Sequence, residues 1–123
     1  MEVRIAVASS SEPGALVAGL ADGTKKIQMG FTPTEVGLLG ATGFLPGSLF
    51  LDATTMHTYR LVKNNNTNEA ELYVDGVLVQ TVAYNSLPAF TVTNYRQFFG
   101  AVSDTGIAEG HFDYVLYNNT PQP

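Results

Sequence analysis

The chain has 123 residues, the size of one ordinary domain. Charged side chains make up only 14% of it, the formal net charge is −5, and its six cations (Arg4, Lys25, Lys26, Arg60, Lys63 and Arg96) form no run or stripe. That distribution excludes nucleic acid as a partner and charge-driven contact with an anionic membrane. With no cysteine, a disulfide and a thiolate zinc site are both excluded; no apolar run approaches the ~20 residues of a membrane span.

Period-two alternation, punctuated by turn residues, runs along the chain. Val3, Ile5 and Val7 share one side of a first strand, with Glu2, Arg4 and Ala6 opposite. Residues 9–14 read as a loop, Ala15 to Leu20 as a second strand, and Asp22-Gly23 as a tight hairpin. Ile27, Met29 and Phe31 alternate in a third strand, and Thr32-Pro33-Thr34 turns it into a fourth over Glu35 to Leu39. Residues 40–47 contain three glycines and Pro46 and read as a loop crossing one end. Leu49 to Leu51 is a short strand. Asp52 is an acceptable N-cap for a helical turn that ends by Met56, too short to stand alone.

Thr58 to Lys63 is the next strand, followed by the polar tip Asn64-Asn65-Asn66-Thr67-Asn68. Ala70, Leu72 and Val74 alternate with Glu69, Glu71 and Tyr73. Asp75-Gly76 is the strongest hairpin signal, because both central residues of a type I′ turn take positive φ. Val77 to Tyr84 returns as its partner, and Leu87-Pro88 ends that strand. Tyr95 to Ala101 and His111 to Tyr117 close the pattern, with Ser103 to Gly110 between them. Short strands and the lack of any helix of normal length predict an all-β, two-sheet antiparallel sandwich, with residues 1–123 as a single domain. Phe31, Phe50, Phe98, Phe112 and Leu116 are assigned to its core.

The second half of the chain carries a resemblance. His57-Thr58-Tyr59-Arg60-Leu61-Val62 is followed by Glu71-Leu72-Tyr73-Val74-Asp75-Gly76-Val77-Leu78-Val79, then Phe98-Phe99-Gly100-Ala101 and Phe112-Asp113-Tyr114-Val115-Leu116-Tyr117. In order and spacing this resembles laminin-G-like and related concanavalin A-like domains, over roughly residues 15 to 117 and most clearly from 57 onward. The resemblance implies a jelly-roll sandwich with one concave face. Related domains bind glycans, bind proteins, hydrolyse β-glucans or build surfaces, and fold alone does not choose among these. The chain is shorter than typical members, which implies an uncovered sheet edge and raises the expectation of a homo-oligomer. The closely spaced Glu, Asp and Glu of glucanase members have no counterpart here.

Glycoside hydrolysis needs two carboxylates facing one cleft. Glu69 and Glu71 share a strand face and are the nearest pair, although paired carboxylates are common on open sheet faces. Glu109, His111 and Asp113 would share a face only if the last strand began before Gly110. His57 and His111 stand at strand starts, where a hydrogen-bonding role is commoner than a metal or general-base role. No nucleophile-elbow sequence is present. A calcium ion is the one cofactor that the ligand supply admits, through Asp22, Asp52, Asp104 and the 64–68 loop; against it, Asp22 and Asp75 each precede glycine and are expected to cap their own turns. For a glycan, exposed rings and amides are the working parts, and Tyr73, Tyr84, Asn94, Tyr95, Arg96 and Gln97 are the candidates. The competing reading is cross-strand pairing that stabilises the sheet. Asn65-Asn66-Thr67 and Asn118-Asn119-Thr120 match the N-glycosylation pattern, which matters only in a secreted eukaryotic protein.

The function expected from the chain is therefore a non-catalytic recognition module, with carbohydrate as the first-ranked ligand and a glycan or protein surface as its partner. A structural assembly protein, such as a virion surface or decoration subunit, is the alternative, and a glycoside hydrolase relative comes third. Met1-Glu2-Val3-Arg4 lacks the basic start and apolar core of a signal peptide. An extracellular or virion-surface location remains the favoured expectation, with any leader lying outside this chain.

Overall fold

A computed structural model describes residues 1–90, 96–101 and 106–117. Among these residues the chain forms eleven strands: β1 (Glu2–Ser10), β2 (Leu16–Ala21), β3 (Lys26–Thr32), β4 (Glu35–Gly40), β5 (Gly43–Phe44), β6 (Leu49–Phe50), β7 (His57–Asn64), β8 (Glu69–Val74), β9 (Val77–Ala83), β10 (Arg96–Ala101) and β11 (Ala108–Leu116). A single 3-10 turn spans Tyr84–Ser86. One sheet runs β11-β1-β7-β8-β9; the other runs β10-β2-β3-β4-β5, with β6 also paired to β4. Every pairing between these strands is antiparallel. The fold is an all-β antiparallel sandwich, as the alternation predicts.

The core lies between the sheets and is built from the inward halves of the alternating strands. Val3, Ile5 and Val7 meet Leu16, Ala18, Ile27, Met29, Phe31, Val36 and Leu38 across the gap, with Tyr59, Leu61, Ala70, Leu72 and Val74 beside them. Each fully buried Val, Leu, Ile, Phe or Met among them contributes about 1.5–3 kcal/mol of transfer free energy. Phe31 packs edge-on against Tyr59, with ring centroids 4.9 Å apart. Tyr59 is fully buried and its hydroxyl has no hydrogen-bond partner among the described residues.

Gln80 is the one buried polar side chain among the described residues, and it is fully used. Its Oε1 accepts from the Leu38 N–H at 2.7 Å, and its Nε2 donates to the carbonyls of Leu45 and Pro46 at 3.2 and 3.0 Å. This residue stitches the edge strand β9 of one sheet to β4 and the 45–46 segment of the other. Burying an amide is tolerable here because all three bonds replace those lost to water.

A second, thinner apolar layer lies outside the six-stranded sheet. Val17, Ala21 and Leu39 are buried but do not belong to the intersheet core. Gly30, opposite Val17, makes this possible. A Cβ at Gly30 would sit 2.3 Å from the Pro13 carbonyl oxygen and 2.7 Å from Leu39 Cδ1. Its absence lets the 11–14 segment and Leu39 close over the sheet.

Several expectations are corrected. Residues 40–47 do not form a plain loop: Gly43–Phe44 turns back to pair with Leu39 and Gly40. Asp52 starts no helix; its Oδ1 accepts the Thr54 N–H within a turn that leads straight into β7. The last strand begins at Ala108, before Gly110, so Glu109 and His111 do share a face, with His111 Nε2 3.1 Å from Glu109 Oε2. Phe50 is not core. It is 74% exposed, because β6 pairs with the outer end of β4 and carries Phe50 opposite Glu35. Leu116 is likewise 56% exposed, since it lies opposite the outward Glu2. A bulge between Tyr114 and Phe112 shifts the alternation of β11, leaving Phe112 inward and Leu116 outward. Phe98 stands opposite Gly19, outside the core cluster, whereas Phe99 contacts Phe112 at 5.3 Å. Phe31 and Phe112 sit in or against the core as expected.

Candidate functional site

The outer face of the five-stranded sheet holds a row of polar and aromatic groups. Register places Leu116, Glu2, Arg60, Tyr73 and Leu78 in one row across β11, β1, β7, β8 and β9. The row follows from the alternation itself: Val3, Tyr59, Leu61, Leu72 and Val74 turn inward, so their neighbours must turn out.

Within the row the Arg60 guanidinium carbon lies 4.2 Å from the Tyr73 ring centroid, a close cation–π stack. The Tyr73 hydroxyl donates to Glu71 Oε1 at 3.2 Å, and Asn64 Nδ2 donates to Glu71 Oε2 at 3.5 Å. On the far side Tyr114 donates to Glu2 Oε2 at 2.9 Å. Arg4 joins the neighbouring row, with Nη1 3.3 Å from Thr58 Oγ1 and Nε 3.3 Å from Asp113 Oδ2. The face thus presents a planar guanidinium–phenol stack, flanked by carboxylates, an amide and two exposed leucines. Such a surface offers flat apolar contact together with donors and acceptors at fixed spacing.

The candidate residues do not converge. Tyr73 belongs to the outer face just described. Tyr84 sits at one end of the sandwich, in the 3-10 turn after β9. Its hydroxyl donates to Asp22 Oδ2, contacts Thr24 Oγ1 at 3.1 Å, and its ring is flanked by Lys63 at 4.4 Å and Lys25 at 5.9 Å. Gln97 is exposed on β10 of the other sheet. Arg96 opens the same strand. Asn94 and Tyr95 lie outside the described residues.

The metal candidates are likewise separate. Asp22 Oδ1 caps its own turn by accepting the N–H groups of Thr24 and Lys25, as expected. Burial works against its charge, but the Tyr84 hydroxyl and these Lys25 and Thr24 donors outweigh it and hold the carboxyl below its usual range. Asp52 is occupied by Thr54, and Asp104 lies outside the described residues. No group of three His, Asp or Glu side chains suited to a metal ion occurs among the described residues.

Asp75 corrects a further expectation: it does not cap its own turn. Its Oδ1 accepts the Thr58 N–H at 2.9 Å and its Oδ2 accepts from His57 Nδ1 at 2.7 Å. The Thr58 N–H is the main reason its carboxyl is held low, against a burial cost and with help from His57 and Arg4. His57 Nε2 lies 3.0 Å from both Thr55 Oγ1 and the Asp52 carbonyl. The imidazole is thereby bracketed between the 52–56 turn and the hairpin, an arrangement that fastens backbone. Neither the Arg60–Tyr73 stack nor this clasp carries a recognisable sequence motif; only strand register brings their members together. No protein-family model matches the chain, and no curated protein sequence matches it significantly.

Proposed function

We propose that this domain is a non-catalytic recognition module that binds carbohydrate on the outer face of its five-stranded sheet. The observation that carries this reading is the Arg60–Tyr73 stack in the middle of a sheet row, with Arg60 exposed, the Tyr73 ring half-buried and its hydroxyl held by Glu71. A sugar ring presents an apolar C–H face and a rim of hydroxyls. The stack supplies a flat surface for the former, and Glu71, Asn64 and Glu2 supply hydrogen-bonding partners for the latter. Carboxylates Glu2, Glu69 and Glu71 on this face disfavour acidic sugars, so neutral or amino sugars are the expected class. The strand order and the hairpin at Asp75-Gly76 also support placing the chain with the concanavalin A-like jelly rolls.

A glycan array followed by calorimetry tests the proposal. Binding of a neutral or amino-sugar glycan, weakened at least tenfold in Tyr73→Ala and Arg60→Ala with unchanged melting, is the expected result. An array with no binder, or binding indifferent to both substitutions, overturns it.

A structural assembly role is the second reading. It draws on β9, an edge strand that pairs only with β8 among the described residues and has Val77 and Leu78 exposed.

A further inference from the structure

The clasp at His57 fastens the 52–56 turn to the β8–β9 hairpin, and in doing so it aligns three side chains. Asp75 Oδ2 accepts from His57 Nδ1 at 2.7 Å, and His57 Nε2 lies 3.0 Å from Thr55 Oγ1. A carboxylate that orients an imidazole, whose other nitrogen faces a hydroxyl within hydrogen-bond reach, is the arrangement that makes an alcohol nucleophilic. The reacting end is accessible, with Thr55 exposed and the His57 side chain 22% exposed. The orienting end is fixed a second time, because Asp75 Oδ1 accepts the Thr58 N–H at 2.9 Å.

Hydrogen-bond valence places the protons. The Asp75 carboxyl is held below its usual range and only accepts, so Nδ1 carries the ring hydrogen and Nε2 of the neutral imidazole carries the lone pair. The Thr55 hydroxyl has one proton and two acceptors in reach, Nε2 at 3.0 Å and the Asp52 carbonyl at 2.9 Å. Nε2 also lies 3.0 Å from that carbonyl. A proton turned to the carbonyl would leave the Nε2 lone pair facing two oxygens. A proton turned to Nε2 satisfies the ring and leaves the surface carbonyl to solvent.

We infer that Thr55 is a covalent acylation site, which takes the acyl group of an activated carboxylic ester, with His57 as its base and Asp75 as the residue that positions the base. The Thr55 oxygen bonds to the acyl carbon, and the bond from that carbon to the donor's leaving oxygen breaks. The hydroxyl proton passes to His57 Nε2 and from there to the departing oxygen. An exposed turn gives little stabilisation to developing negative charge, because solvent screens it. The donor must therefore bring a good leaving group of its own, as an aryl ester does. For the same reason the threonine ester, whose leaving group is a poor alkoxide, is retained. The step is stoichiometric, and the chain remains a non-catalytic module that carries a modification site. The site uses neither Arg60 nor Tyr73, so it stands or falls apart from carbohydrate binding.

Para-nitrophenyl acetate is the probe, with intact and tandem mass spectrometry as the readout. The expected product is one acetyl group on Thr55, removed by hydroxylamine, which cleaves an ester but not a lysine amide. The rate of ester formation at Thr55 is expected to rise with pH as the imidazole gives up its second proton. Asp75→Asn tests the positioning role at a smaller cost in stability than Asp75→Ala. The Thr58 N–H can pair only with the amide oxygen, so the amide nitrogen must face Nδ1 as a donor. The ring hydrogen then moves to Nε2, and the base is lost. Ester formation is expected to slow by roughly tenfold or more in Asp75→Asn and in His57→Gln, and to persist in Thr55→Ser. Circular dichroism monitors folding, and if one of the first two variants does not fold, the other decides. Acetyl groups found only on lysine or tyrosine overturn the inference. So does an ester at Thr55 whose rate is flat with pH, or one that forms at the wild-type rate in folded Asp75→Asn or His57→Gln.

Discussion

Asp75 at the tip of the β8–β9 hairpin reaches back to His57 at the start of β7, with Nδ1 donating to Oδ2 at 2.7 Å. The same carboxylate accepts the Thr58 N–H while its own backbone holds φ at +50°, next to Gly76 at +84°. One residue therefore serves the turn conformation and the strand-to-hairpin bond. Asn tolerates positive φ and keeps an acceptor; Ala tolerates it poorly and keeps none. Asp75→Ala is expected to cost about 1–3 kcal/mol of unfolding free energy, and Asp75→Asn distinctly less. Urea denaturation of the two variants checks this; equal losses would show that the backbone conformation contributes nothing.

Acid should weaken the fold through the same groups. Asp22 and Asp75 both have folded-state carboxyls held below the usual range. The unfolded chain then binds protons more readily, so stability rises with pH through the carboxylate range and is flat above it. The contribution is fully present above an unfolded carboxyl value of about 3.9 and is lost as pH falls below it. Urea midpoints measured from pH 7 down to pH 2.5 should fall only in that lowest window. The fall should be shallower in Asp75→Asn and Asp22→Asn, and an unchanged profile in both would refute the assignment.

Gln80 offers a sharper test of packing. Gln80→Leu keeps the volume but strands the buried Leu38 N–H and frees two carbonyls. An unmet buried donor costs about 1–3 kcal/mol. A loss in that range is expected, together with faster amide exchange at Leu38. A neutral substitution would mean that water reaches this site.

The inward pattern of Val3, Ile5, Val7, Ala70, Leu72 and Val74 and the turn at Asp75-Gly76 were legible in the sequence, because alternation and positive φ are local properties. The exposure of Phe50 and Leu116 is not legible in the sequence, because hydrophobicity says nothing of which face a two-residue strand shows, or where a bulge resets the alternation. The scatter of Tyr73, Tyr84 and Gln97 has a different cause. Residue type alone nominates exposed rings and amides, but β8 and β10 belong to different sheets. The Arg60–Tyr73 stack depends on register across a pair of strands, which no single segment encodes.

Tyr59 gives the last test, and its sign runs opposite to most core substitutions. The ring is fully buried beside Phe31, and its hydroxyl lacks a partner among the described residues. Burial, aided by the nearby Asp75 charge, pushes its phenol well above the usual range, so it stays neutral at every ordinary pH. A neutral hydroxyl stripped of water and given nothing in return lowers stability. Tyr59→Phe removes that oxygen and keeps the ring contact with Phe31. The expected outcome is an unfolding free energy unchanged or raised by up to about 1 kcal/mol, read from urea denaturation at pH 7. A loss of more than about 1 kcal/mol would show that the hydroxyl is hydrogen-bonded in solution, since only a lost bond of that strength could offset the relief of desolvation.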